Sequence, residues 1–437
     1  MKLFNTITCA FIAFCLISLQ TSCKKENDNF ADYPISLSVK DTLGTTKLTW
    51  TKIESSDFIE YVVVRSNKDS IRDFSNLNTT GGAVIISRIS NVKQTDFLDF
   101  SGTNFAVKFY YRVFARMKNR TLSSPNYQYN SDLSVLNIAQ PSEIIQDVSN
   151  PNLVYLNSLS SNQIILYDLL KDSIIAKSTS TFGSSRIILA SDKGNNAELI
   201  QYNSQRVYFF DAKTLELKTS VNFAYNIYNI SGSQDGFIYI NVDESNKQLQ
   251  ILRLSDHKVI STLSSYINNN YFYSAFLNKI PNTNSVLVIE NNSSNPNVAK
   301  ILHDPQGNFV SSQYLGRIIN NSSFSQLMRI SSKGAYFFFN SLVFAEPLDI
   351  TKPLNLVLQN FSDFAFKEDE TKCYIVRQIF TNTTNNLLEE YSLPNGKLLR
   401  TLTTKITGRF VIYKDKAYIF GASNVSSQQT ILQKVQL

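Results

Sequence analysis

Two histidines and four cysteines are all the imidazole and thiol chemistry available to this chain of 437 residues. Their surroundings argue against both metal binding and nucleophilic catalysis. Ser-Asp-His257-Lys and His303-Asp-Pro-Gln are turn sequences, which predicts that His257 and His303 sit exposed in hairpins. Cys373 lies in the alternating run Thr-Lys-Cys-Tyr-Ile-Val and reads as a small core residue. There is no HxxxH spacing, carboxylate-rich cluster, G-x-S-x-G elbow or phosphate-binding glycine loop, so no metal, cofactor or catalytic residue is expected. Glycoside hydrolysis needs two carboxylates, and the main acidic candidates on the segments that matter below are Asp243, Glu244 and Glu290. The remaining chemistry is that of recognition. Tyr266-Ile-Asn-Asn-Asn-Tyr-Phe-Tyr273 sets Tyr266 and Tyr271 beside Asn268, Asn269 and Asn270. Aromatic faces suit the C–H faces of a sugar ring, and amides suit its hydroxyls.

Cys23 offers a different chemistry. Met1-Lys2 precedes a mostly apolar stretch from Leu3 to Leu19, followed by Gln20-Thr-Ser-Cys23. A positive start, an apolar middle too short for a comfortable membrane span and small residues at the end are the marks of an export signal. The pattern resembles a bacterial lipoprotein signal, which implies removal of residues 1–22 and lipidation of Cys23. Gln20 stands where that family usually has an aliphatic residue, with Leu19 one place earlier. The following Cys23-Lys-Lys-Glu-Asn-Asp-Asn resembles the tether, here residues 23–32, that sends some Gram-negative lipoproteins to the cell surface. The resemblance implies an outer-membrane address, lipid-anchored and exposed to the outside.

Composition fits that address. Hydrophobic residues make up 43% and aromatics 12%, enough for sizeable cores, while charged residues are only 18%. Asn, Ser and Thr must therefore supply the polar surface, as in β-rich proteins with many turns. The net charge of +7 is not concentrated in any basic run longer than Lys24-Lys25, and no nucleic-acid partner is expected.

Strand and turn signals divide the rest into two all-β domains. Over residues 33–130, Leu48-Thr-Trp50, Tyr61-Val-Val-Val-Arg65, Tyr110-Tyr-Arg-Val-Phe-Ala115 and Ser123-Ser-Pro125 follow one another at sandwich spacing. That order resembles a fibronectin type III domain. The resemblance implies that Trp50 packs across both sheets, and that Phe109 stands where the family has a corner tyrosine. Alternation puts Phe109, Tyr111, Val113 and Ala115 inside and turns Tyr110, Arg112 and Phe114 outward.

From Leu133 onward a four-strand pattern recurs with a period of about 43 residues. Its first hairpins fall at Asn150-Pro151, Asp192-Lys-Gly194, Asp235-Gly236, Pro281-Asn282, Lys333-Gly334, Glu368-Asp369 and Lys414-Asp415, which makes seven units. The last unit lacks residues for a fourth strand, and strand 133–139 is available to supply it. Such closure hides the open edges of a ring of sheets. The repeats resemble the seven-bladed YVTN-like and quinoprotein-like β-propellers over residues 133–437, without the Trp-Asp dipeptides of WD40 proteins. In such propellers ligands usually meet the face carrying the fourth-to-first and second-to-third loops. Arg186, Tyr225, Tyr228 and the Tyr266–Tyr271 segment fall on those loops and are the candidate ligand-binding residues. The expected function is non-catalytic recognition of a glycan or envelope protein. Alternatives are a propeller glycosidase or lyase using carboxylates at the channel mouth, or a scaffold of an envelope complex.

Overall fold

The computed structural model describes residues 34–437 except 43–44, 67–70, 72–73, 75–82, 100–107, 131–132, 159, 180–181, 183–185, 193–194, 233, 244–248, 265–274, 291–295, 319–326, 340–341, 346–349, 355–360, 381–383 and 424–425. Every regular element among them is a strand, and no helix is long and apolar enough to cross a membrane. The chain divides into two compact units, the first built mainly from Leu48–Phe97 and Tyr110–Gln128, the second mainly from Tyr129–Leu437.

In the segment before Asn130, Leu37–Thr42, Thr45–Trp50 and Asp96–Asp99 form one sheet in that order. A second sheet runs Ala83–Ile89, Phe58–Ser66, Lys108–Met117 and Thr121–Ser123, with Tyr127–Asn130 also paired to Lys108–Met117. Trp50 is buried and meets Tyr61 edge-on at 5.4 Å. The Tyr61 hydroxyl accepts from Ile53 N–H at 2.9 Å and donates to Val92 O at 3.3 Å, tying two loops to the core. Arg112 and Phe114 correct the alternation reading: both are buried. Ile71 and Phe74 cover that face of the sheet, packing with Val62, Val64 and Phe114. Arg112 is enclosed by acceptors, donating to Ser124 O, Ile71 O and Ser123 Oγ at 2.7–2.8 Å.

Among the described residues the second unit contains seven antiparallel sheets. Glu143–Gln146, Leu153–Ser158, Gln163–Asp168 and Ser173–Lys177 form the first. Ile187–Asp192, Ile227–Gly232, Ala275–Ile280, Met328–Ile330, Phe361–Phe366 and Gly408–Tyr413 open the next six. In the seventh, Leu133–Leu136 pairs with the long strand Ser426–Gln436, so residues from before the first sheet complete the last one. In the fifth, three strands are joined by a bridge between Val343 and Leu354.

Burial explains which residues build which strand. Second strands such as Phe237–Val242 are buried throughout and apolar on both faces, whereas last strands such as Ser173–Lys177 alternate exposed and half-buried. Each hydrophobic cluster takes side chains from two consecutive sheets. Tyr155 and Leu166 pack with Leu199 and Phe210, Phe209 with Ile238, and Tyr239 with Val288. Phe276 then packs with Phe337, Phe338 with Phe364, and Tyr374 with Ile419. The series returns to its start where Tyr167 and Val154 meet Phe420 and Leu432. Sheets stacked face to face around a closed circuit are a β-propeller.

Candidate functional site

The opening strand of each sheet is paired on one side only, so its other edge would leave backbone N–H groups without acceptors inside the ring. Side chains of the preceding opening strand fill several of these places. Glu143 Oε2 accepts from Ile187 N–H at 2.6 Å, joining sheets one and two. Asn229 Oδ1 accepts from Leu277 N–H at 3.1 Å and Ser231 Oγ from Lys279 N–H at 2.9 Å, joining three and four. Asp363 Oδ2 accepts from Phe410 N–H at 3.1 Å, joining six and seven. Arg409 Nε donates to Ser142 O at 3.1 Å and Gln146 Nε2 to Ile412 O at 3.0 Å, joining seven back to one.

These strands surround a central channel with a cavity at each end. One, of about 450 Å³, lies where the opening strands begin and is lined by Arg186, Arg329 and Arg409 together with Ser142, Glu143 and Ser362. The other, of about 830 Å³, lies at the first hairpins and is lined by Asp147, Asp211, Asp235 and Lys279. Both share Ile145, Leu189 and Gly232 as wall.

The narrow mouth is charged and fixed in place. Arg409 Nη1 donates to Ser362 O at 3.3 Å and lies 3.6 Å from Asp363 Oδ1, while Arg329 Nη2 donates to the same oxygen at 3.4 Å. Arg186 lies over the Phe276 ring at 5.0 Å, a cation–π contact. Burial raises the Glu143 carboxyl above the usual carboxylate range, and Arg186, Arg329 and Arg409 pull it back down. The arrangement can bind an anion through fixed guanidinium donors; the two acids already serve as acceptors for the ring itself.

Of the residues expected to bind ligand, Arg186 lines this cavity. Tyr225 is half-buried in the cluster between sheets two and three. Tyr228 is 40% exposed, and burial together with its hydrogen bond to Asp243 raises its hydroxyl pKa. Neither tyrosine lines the cavity. Tyr266, Asn268, Asn269, Asn270 and Tyr271 lie outside the described residues, as does Cys23. Arg329, Arg409, Glu143 and Asp363 escaped the sequence reading, which looked for chemistry on loops. The signal was present: each is a charged residue among the first three of an apolar opening strand.

The histidines also differ from expectation. His303 is buried, because the end of its strand tucks beneath the neighbouring sheet, against Phe237 and Tyr239. Its Nδ1–H donates to Asp304 O at 2.7 Å, so Nε2 is the acceptor for the Tyr239 hydroxyl at 2.7 Å. Burial holds its pKa below the ordinary value, consistent with a neutral ring. Asp235 stands 3.9 Å from Nε2 and pairs with Lys279 at 3.0 Å. His257 is half-buried: Nε2–H donates to the buried Glu198 at 2.8 Å, and its ring packs on Phe209 at 4.2 Å. Both imidazoles thus lie in clamps between consecutive sheets. Cys373 is a core residue, its thiol pushed up to about 12 by burial. Among the described residues no group of three His, Cys, Asp or Glu could hold a metal ion.

No protein-family profile and no curated protein sequence matches the chain. Among solved structures, it is similar to the β-propeller domain of Cps50 (Swd1) from Myceliophteria thermophila, at 10% identity and a TM-score of 0.48, over 70% of this chain and 99% of that one. It is similar to the WD40 repeats of RRP9 at 9% identity and a TM-score of 0.47, over 70% and 98%. Dihydro-heme d1 dehydrogenase NirN gives 13% identity and a TM-score of 0.44, over 64% and 60%. These likenesses concern the fold alone.

Proposed function

We propose that this chain is a cell-surface lipoprotein in which a fibronectin type III-like sandwich precedes a seven-bladed propeller, and that it recognises a ligand without transforming it. The anchor reading is supported by the leader and Cys23. The sandwich reading is supported by the strand order of the two sheets before Asn130, and the seven-bladed reading by seven sheets completed by Leu133–Leu136. The observation that carries recognition is the narrow channel mouth, where three arginines are fixed by neighbouring groups around a cavity of about 450 Å³. That volume is within the range of small-molecule sites. Glu143 and Asp363 at the same mouth are engaged with backbone N–H groups of the next strand, a structural duty that suits a binder. Screening the full chain in detergent against a glycan array and envelope fractions tests the reading. Capture that disappears when Arg329 and Arg186 are replaced supports it, and failure to retain any ligand refutes it. Palmitate labelling, with Cys23→Ala as control, tests the anchor; label retained in the variant defeats it.

One observation favours a hydrolase or lyase as a second reading: Glu143 is half-buried at the mouth with its carboxyl raised by desolvation, the state wanted in a proton donor. In that case Glu143→Gln abolishes turnover of a bound glycan while binding persists.

A further inference from the structure

We propose that the narrow channel mouth binds the carboxylate of a uronic acid, a hydroxylated sugar ring carrying one anionic group, between Arg186, Arg329 and Arg409. The inference rests on the recognition reading above and names its ligand class.

Three guanidinium groups outnumber the two carboxyl groups beside them, Glu143 in the cavity lining and Asp363 against Arg329 and Arg409, so the mouth carries an excess of positive charge. The site is therefore suited to an added negative charge. Guanidinium groups are planar forks that match a carboxylate two bonds at a time, and they stay charged at every physiological pH. The three come from different sheets: Arg186 enters the second, Arg329 the fifth and Arg409 the seventh. An anion in the channel thus meets donors from several sides.

Preorganisation is visible in what holds each arginine. Arg409 spends Nε on Ser142 O and Nη1 on Ser362 O and Asp363, and its Nη2 has no protein acceptor among the described residues. Arg329 spends Nη1 on Met328 O and Nη2 on Asp363, and its Nε has no protein acceptor among the described residues. Their side chains are 34% and 29% exposed, enclosed enough to limit screening and open enough to be reached. Little side-chain entropy is lost when an anion meets donors already held in place.

The rest of the lining narrows the ligand further. Ser142, Ser231, Ser362 and Asn278 supply hydroxyl and amide groups of the kind that meet sugar hydroxyls. Ile188 and Leu277 supply aliphatic surface for a ring edge. A cavity of about 450 Å³ holds a ligand of one or two sugar rings.

The test is calorimetric titration of the full chain in detergent with glucuronate and galacturonate, with glucose as the uncharged ring and sulfate as the simple oxyanion. The expected result is measurable binding of a uronate, at least tenfold weaker binding of glucose, and several-fold weakening by half-molar salt. Arg329→Gln should lower affinity at least tenfold, and Arg329→Lys should restore only part of it, because the charge returns without the fork. Arg186→Gln gives an independent variant should replacement of Arg329 prevent folding. Trigalacturonate separates the sources: tighter binding than the monomer marks a chain end, equal binding marks the free acid, and both support the assignment. Glucose binding as tightly as glucuronate, sulfate displacing uronate at equal concentration, or unchanged affinity in folded Arg329→Gln would overturn it. If neutral glycans or envelope components bind while uronates do not, the uronate assignment falls and the recognition reading stands. If nothing binds, both fall.

Discussion

Replacing Tyr239 with Phe removes the hydroxyl that donates to Nε2 of the buried His303 imidazole. His303 is 2% exposed, its Nδ1–H is committed to Asp304 O at 2.7 Å, and Nε2 accepts from Tyr239 at 2.7 Å. In Tyr239→Phe, Nε2 stays buried with no donor among the described residues, a loss of about 1–3 kcal/mol. With a urea m-value of about 3 kcal/mol/M, the midpoint should fall by about 0.3–1 M at pH 7.5. Acid tests the same contact from the other side. Burial is the largest influence on His303 and holds its pKa below 6.5; Lys279 acts in the same direction, while the Asp304 carbonyl, Asp235 and the Asp304 carboxylate oppose it. The unfolded chain accepts a proton near pH 6.5 that the folded chain refuses, so this contribution to stability is complete above 6.5 and lost as pH falls. For one such group the loss between pH 7.5 and 5.5 is at most about 1.4 kcal/mol. His303→Gln cannot titrate, so subtracting its pH dependence from that of the wild type isolates the imidazole. Urea midpoints for all three proteins at both pH values decide the matter. Tyr239→Phe melting within about 0.1 M of wild type, or identical pH dependence in wild type and His303→Gln, would refute the clamp.

Other consequences follow from the same packing. Glu143→Ala leaves Ile187 N–H without its acceptor and should cost about 1–3 kcal/mol, whereas Glu143→Gln keeps an acceptor oxygen and should cost less. Burial raises the Glu143 carboxyl, so the folded chain holds this proton more tightly than the unfolded one. Wild-type stability should therefore decline, relative to Glu143→Gln, as pH rises from 4.5 through the raised value; parallel thermal melts across that range would contradict the assignment. Trp50→Ala should destabilise the first unit by about 3–5 kcal/mol through cavity formation, read from urea unfolding, and an unshifted midpoint would remove Trp50 from the core. Gly232→Ala would set a Cβ 2.5 Å from Ile188 Cγ2 and 2.9 Å from Leu189 O, where the opening strands of sheets two and three nearly touch. Overpacking there should cost about 1–3 kcal/mol, and a melting temperature equal to wild type would show that the strands can part freely.

Much of the fold was legible because propeller strands differ in burial. Middle strands such as Phe237–Val242 and Ser285–Glu290 read as short apolar runs, and the turns at Asp235-Gly236 and Pro281-Asn282 fall between a first and a second strand. Alternation failed at Arg112 and Phe114 because period-two reasoning assigns a face, and assumes that water covers it. Here Ile71 and Phe74 cover it instead, a contact between segments about forty residues apart that no local pattern announces. The histidines were misplaced for a related reason. Turn residues label a hairpin, but whether a neighbouring sheet overhangs that hairpin is a tertiary fact, and Tyr239 and Glu198 reach His303 and His257 from 64 and 59 residues away.

The channel mouth was the least legible part, and its physics explains why. An opening strand inside a ring must be apolar to pack against its own sheet, yet its inner edge must present acceptors to the next strand. Glu143 and Asp363 meet that need with carboxylates where Asn229 and Ser231 meet it with neutral groups. A carboxylate in such a place requires a cation, because an unpaired buried charge is far costlier than an unpaired amide. Arg329 and Arg409 satisfy Asp363 together, and a fork with five N–H groups has more donors than one shared carboxylate can use. The surplus donors and the surplus charge both border the channel. Anion affinity at this mouth is then a consequence of how the ring is sealed. Sequence reading that searches loops for function will miss it wherever the sealing residues lie on strands.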